Sequence, residues 1–145
     1  MPPTVTREVT DPLLENADVL PTAESATILV IDDDLAMRTL LGLTLEGMGY
    51  LVLVAADGEA ALEIAREHPE IRLLLLDVVM TGLSGKELVE QLQASLRDCS
   101  VLFISGHPAS VMATHGIDLG VNHFLQKPCS PVQLQQKIDE LLVAR

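Results

Sequence analysis

Aromatic side chains are nearly absent from this chain: it has no tryptophan, one tyrosine and two phenylalanines in 145 residues. A core must therefore be built from Leu, Val, Ile, Ala and Met. The chain is 48% apolar, enough to exclude disorder throughout. Basic residues are scarce as well. Lys and Arg number 9 against 21 Asp and Glu, a formal net charge of -12. No basic stripe exists to release counterions from nucleic-acid phosphates, and docking on anionic membrane is disfavoured for the same reason. The two cysteines, Cys99 and Cys129, match no metal or disulfide spacing and fit a reducing cytosol. No apolar run is long enough to cross a bilayer, and the N-terminus lacks the basic start and apolar stretch of a signal peptide. The expectation is a soluble, acidic, cytoplasmic chain with one domain of ordinary size.

What is present divides at about residue 26. Residues 1–26, with Pro2, Pro3, Pro12 and Pro21, hold no sustained period and read as a flexible leader or linker. From Thr27 to Arg145, short branched apolar runs alternate with segments of helical spacing. Ile28–Ile31, Tyr50–Ala55, Leu73–Leu76, Val101–Ile104 and Val121–Leu125 read as strands. Leu35–Met48 reads as a helix, with Met37, Leu40, Leu41, Thr44, Leu45 and Met48 as its apolar stripe and Gly49 as its stop. Helices are also predicted at Glu59–His68, at Ser84–Leu96, weakly at His107–Gly116, and from Pro131 behind a Ser130 cap. Five strands alternating with five helices predict an α/β fold with a doubly wound parallel sheet.

Carboxylates mark the ends of these strands. Asp32, Asp33 and Asp34 follow the first apolar run, and Asp77 follows Leu73–Leu76. Ligands of open α/β sheets bind outside the carboxyl ends of the strands, so these acids are expected to meet there. Like charges 4 Å apart repel by roughly 4 kcal/mol at an effective dielectric of about 20, which a hard dication in the cluster offsets. Oxygen ligands in a small site favour magnesium over zinc. Ser105 follows the fourth strand and Lys127–Pro128 the fifth. Carboxylates, a hydroxyl and a lysine on one edge suit phosphoryl chemistry, with a carboxylate as nucleophile and the lysine and metal as counter-charges.

The motifs ILVIDDD, LLLLDVVMTGLSG, VLFISG and FLQKP, in that order and spacing, resemble the response-regulator receiver domain of two-component signalling. The resemblance covers residues 27 to about 143 and implies a flavodoxin-like, CheY-like sheet of order 2-1-3-4-5. It also implies that Asp77 accepts a phosphoryl group from a phosphohistidine on a histidine kinase or histidine phosphotransfer domain. Asp33 and Asp77 are implied as Mg2+ ligands, with the backbone carbonyl of Val79 and, through a water, Asp32. Lys127 is implied to pair with the aspartate or phosphate, Ser105 to close on the phosphoryl group, and Phe124 to occupy the aromatic switch position. The surface formed by the helix at 107–116, the fifth strand and the last helix is then the signalling face, open to a downstream protein target or a weak dimer.

Some residues have plainer readings. Asp34 is expected to cap the following helix, Phe103 to be core, and Cys129 to be a small buried hydrophobe. The histidines His68, His115 and His123 are scattered and predict no zinc site. Thr81 stands where the resembled family usually has proline. Val79 and His107 are expected to flank the route of an attacking water and tune the lifetime of the acyl phosphate. Two competing readings are a haloacid-dehalogenase-type phosphatase and a degenerate receiver used for docking. Ala36 stands where that phosphatase type has threonine, and the intact Asp33, Asp77, Ser105, Lys127 set opposes the docking reading. The module is expected to be a phosphoacceptor rather than an enzyme on outside substrates. It is either a stand-alone regulator or, preferably, a receiver excised from a hybrid histidine kinase.

Overall fold

Among the described residues, each predicted strand region contributes a strand, and the five strands join one parallel sheet in the order β2-β1-β3-β4-β5. The computed structural model describes residues 26–77, 85–96, 99–105, 123–127 and 129–143. Within these, the strands are β1 Thr27–Ile31, β2 Leu51–Ala55, β3 Ile71–Asp77, β4 Ser100–Ser105 and β5 His123–Gln126. The helices among the described residues are α1 Leu35–Gly47, α2 Gly58–Glu67, α3 Gly85–Ser95 and α4 Pro131–Val143. The predicted helix at 107–116, the leader up to residue 25, Ser84, Thr81 and Pro128 lie outside them. No described helix is long and apolar enough to cross a membrane.

The sheet carries one apolar layer on each face. Leu29, Ile31, Leu74, Leu76 and Phe103 point to one side, where Ala61 and Ala65 of α2 and Leu88 and Leu92 of α3 cover them. Ile28, Val30, Leu73, Leu75 and Ile104 point to the other, under Leu41 and Leu45 of α1 and Leu134 and Ile138 of α4. Alternation with period two sends neighbouring residues of one strand to opposite faces, and both faces are covered, so the runs are apolar at every position. Each Leu or Ile so buried contributes about 1.5–3 kcal/mol. At the edge, β2 is only partly covered, and Leu51 and Val54 stay exposed.

Helix ends follow their sequence signals. The Asp34 carboxylate accepts from the backbone N–H groups of Ala36 and Met37, which makes it the N-cap of α1 as expected. Gly49 closes that helix at φ 103, a conformation that a side chain disfavours. Leu40 leaves the predicted stripe and is exposed, because at 100° per residue it falls beside the line through Met37, Leu41, Leu45 and Met48. At α4 the backbone N–H of Ser130 donates to Gln133 Oε1 at 2.9 Å, and Gln133 N–H donates to Ser130 Oγ at 3.1 Å. This reciprocal capping box is expected to be worth about 1 kcal/mol. Ser130→Ala should lower stability in urea by that amount, and an unchanged midpoint would show the cap to be idle.

The far end of α4 is fastened too. Arg72 donates to the Leu142 carbonyl and Ser100 Oγ to the Leu141 carbonyl, satisfying acceptors that a helix end leaves open. The Tyr50 hydroxyl donates to Asp139 at 3.1 Å and ties the start of β2 to the same helix.

Candidate functional site

The strand registers bring the predicted residues together. Ile31 pairs with Leu76, so Asp32, one step further, lies beside Asp77. Asp77 pairs with Ile104, and Ser105 with Gln126, which sets Ser105 and Lys127 along the same edge. The backbone N–H of Lys127 donates to the Ser105 carbonyl at 2.7 Å and continues the ladder past β5. Asp77 proves to be the last residue of β3 rather than the residue after it, a position with a rigid backbone.

Asp32, Asp33 and Asp77 each present a carboxylate oxygen within 4.8 Å of the other two. They are not equivalent. Asp32 is fully buried, Asp77 half-buried and Asp33 exposed. Asp32 Oδ1 accepts from the Asp34 N–H at 2.9 Å, and its Oδ2 faces Lys127 Nζ at 3.4 Å. Lys127 Nζ also lies 3.6 Å from Asp77 Oδ2. One ammonium thus sits against two of three clustered carboxylates and offsets part of their repulsion. The pairing with Asp77 was expected for Lys127. The closer contact with Asp32 was not.

Ser105 is buried at the end of β4, next to the strand that carries Asp77. Phe124 is partly buried on β5, in register with Phe103, and packs against the α2–α3 side of the core. Phe103 is core, as expected. Val79 and His107 lie outside the described residues, and so does the tuning role expected of them. Cys129 is partly buried against the α1–α4 layer rather than fully enclosed. Burial pushes its thiol above the ordinary range, against an opposing pull from the Lys127 charge, so the thiol stays protonated near neutral pH. Sequence reasoning did not single out Arg38, whose guanidinium reaches back from α1 to donate to the Asp32 carbonyl at 3.0 Å. A basic residue in an otherwise apolar helix start was its signal.

The donor set suits one class of ion. Three carboxylates offer hard oxygen ligands, with no imidazole or thiolate among the three, which fits a small hard dication. Beside the cluster, a cavity of about 630 Å³ opens between α1 and α4, lined by Met37, Leu40, Leu41, Lys127, Cys129 and Leu134.

Comparison with known proteins points the same way. The family model for the response regulator receiver domain matches residues 28–139. Among curated proteins, the chain is 36% identical over 116 residues to the probable transcriptional regulator ycf27 of Cyanophora paradoxa, covering 79% of this chain and 47% of that protein. It is 34% identical over 116 residues to the alkaline phosphatase synthesis transcriptional regulatory protein PhoP of Bacillus subtilis, covering 79% of this chain and 48% of that protein. The chain spans about half the length of these relatives. Among solved structures, the receiver domain of the hybrid histidine kinase CckA is 35% identical at a TM-score of 0.68, with 81% of this chain and 99% of that one covered. The Vibrio cholerae chemotaxis protein CheY4 is 26% identical at a TM-score of 0.71, covering 81% and 98%.

Proposed function

This chain belongs to the response-regulator receiver domain family, whose members accept a phosphoryl group in two-component signalling, and we propose that Asp77 is its acceptor. The observation that carries the assignment is the position of Asp77: half-buried, 3.6 Å from Lys127, and within one carboxylate cluster with Asp32 and Asp33. An Asp77 carboxylate oxygen attacks the phosphorus of a phosphohistidine, the N–P bond breaks, and the histidine leaves with its electron pair. The product is an acyl phosphate on Asp77. Lys127 supplies a fixed positive charge beside the incoming phosphoryl oxygens, and the Ser105 hydroxyl donates to one of them.

Asp33 and Asp77 are assigned as the carboxylates that hold Mg2+, with the Val79 carbonyl as a further ligand. Asp32 has one oxygen on a backbone N–H and the other on Lys127, which supports a role through water rather than directly. When bound, Mg2+ supplies neutralisation of the oxygens of the transferring group. The reaction is a single-residue acceptance with no turnover of an outside substrate, which separates it from the phosphatase reading. Phe124 and the face it borders are assigned to signal output. A phosphoryl group adds about -1.5 to -2 charges at the site, enough to bias two packings of that face.

The donor is a histidine kinase or histidine phosphotransfer domain. The cavity between α1 and α4, lined by exposed Leu40 and by the lysine that contacts Asp77, offers such a partner an apolar seat. The family match over residues 28–139 supports the receiver across that span, within the 27–145 read as the receiver and after the 1–26 read as a leader or linker.

Metal dependence tests the assignment. With phosphoramidate as donor, removal of Mg2+ by EDTA should abolish labelling. Asp33→Asn should weaken Mg2+ binding by at least about tenfold, measured by calorimetry, since a ligating charge is lost. The same variant should be more stable than the wild type without metal, because one repelling carboxylate is gone. Metal-independent labelling would refute the assignment.

A further inference from the structure

Asp32 is held from four sides. Its backbone N–H donates to the Ala55 carbonyl at 3.2 Å, its Oδ1 accepts from Asp34, its Oδ2 faces Lys127, and its carbonyl accepts from Arg38 Nη1. Three of these bonds anchor Asp32 itself. The fourth acts on its neighbour. The Asp32 carbonyl shares a rigid peptide plane with the Asp33 nitrogen, so whatever orients that carbonyl also orients the backbone from which Asp33 projects. Asp33 is exposed and emerges beyond the end of β1, where no ladder bond among the described residues fixes it.

Arg38 has a second, opposite effect. A guanidinium 3.0 Å from the Asp32 carbonyl stands near a proposed cation site and repels the cation. If charge alone mattered, a neutral residue at position 38 would improve the site. We propose that Arg38 is a positioning residue for the cation: it holds the Asp32–Asp33 peptide so that the Asp33 carboxylate faces Asp77. This role rests on the assignment of Asp33 and Asp77 as cation ligands.

The opposite signs of orientation and repulsion make the role testable with Mg2+ alone, by calorimetry on the full chain. Arg38→Met should weaken Mg2+ binding by about tenfold, the lower end of what partners of metal ligands contribute, although a repelling charge has been removed. Arg38→Lys, which keeps a charged donor of similar reach, should recover affinity to within about threefold of wild type. Circular dichroism checks that each variant is folded, and Arg38→Gln replaces the methionine variant if it is not. Unchanged or tighter Mg2+ binding in the neutral variant overturns the positioning role while leaving the ligand assignment intact. Absence of saturable Mg2+ binding by the wild type overturns both. Loss of affinity in Arg38→Met with wild-type-like binding in Arg38→Lys is the supporting result.

Discussion

Asp77→Asn is expected to take up no phosphoryl label from acetyl phosphate or phosphoramidate under conditions where the wild type is labelled at a single site. The amide has almost the shape of the carboxylate, so the sheet edge should keep its geometry. What changes is chemistry: a neutral amide oxygen is a far weaker nucleophile than a carboxylate. Asp77 is the last residue of β3, its backbone held by the ladder to β4, so no neighbouring acid can swing into its place. Asp32 is fully buried with both oxygens engaged, and Asp33 lies on the loop beyond β1. Borohydride trapping followed by peptide mapping locates the label. Labelling of the Asn variant at Asp33, to the extent seen in wild type, would contradict the assignment.

Lys127→Met is expected to destabilise the metal-free protein by about 3 kcal/mol, the lower end for breaking a buried ion pair. The lower end applies because the lysine side chain is 18% exposed, whereas that of Asp32 is 1% exposed. Removing the ammonium leaves Asp32 buried with one backbone donor, beside two further carboxylates within 4.8 Å. Desolvation and repulsion then act together, with the Arg38 guanidinium on the Asp32 carbonyl as the nearest remaining positive charge among the described residues. Mg2+ should restore part of the loss, since it stabilises the folded state that binds it in proportion to its affinity. Urea unfolding with EDTA and with Mg2+ measures both. Equal midpoints for wild type and variant in EDTA would show that Lys127 does not hold the cluster. Phosphoryl uptake should also slow, because the fixed charge beside the acceptor is gone.

Much of the architecture could be read from local patterns. The runs Ile28–Ile31 and Leu73–Leu76 are buried on both faces, as unbroken apolar strands must be in a sheet covered by helices. In α4, Leu134, Ile138, Leu141 and Leu142 recur at helical spacing and are buried. Asp34 caps α1 because a short side-chain acceptor just before a helix meets unpaired N–H groups within its own loop. Leu40, assigned to the apolar stripe, is exposed because it sits at the margin of the helical face, where burial depends on which neighbours reach it. Strand ends moved for the same reason. β3 extends from Ile71 to Asp77, two residues earlier and one later than its apolar run, because a ladder continues wherever the adjacent strand offers partners.

The amino-acid order alone determined that acids would end the first and third strands, and a hydroxyl and a lysine the fourth and fifth. Periodicity is a property of neighbours in the chain, and neighbours are what a sequence displays. Only the tertiary structure decided which of two adjacent aspartates is buried and which faces solvent. It also paired Asp32 with a lysine 95 residues away and brought Arg38 back onto the Asp32 carbonyl. Those choices depend on which strand lies beside which and how far each extends, and the direction of a side chain is set by partners that the local sequence never names.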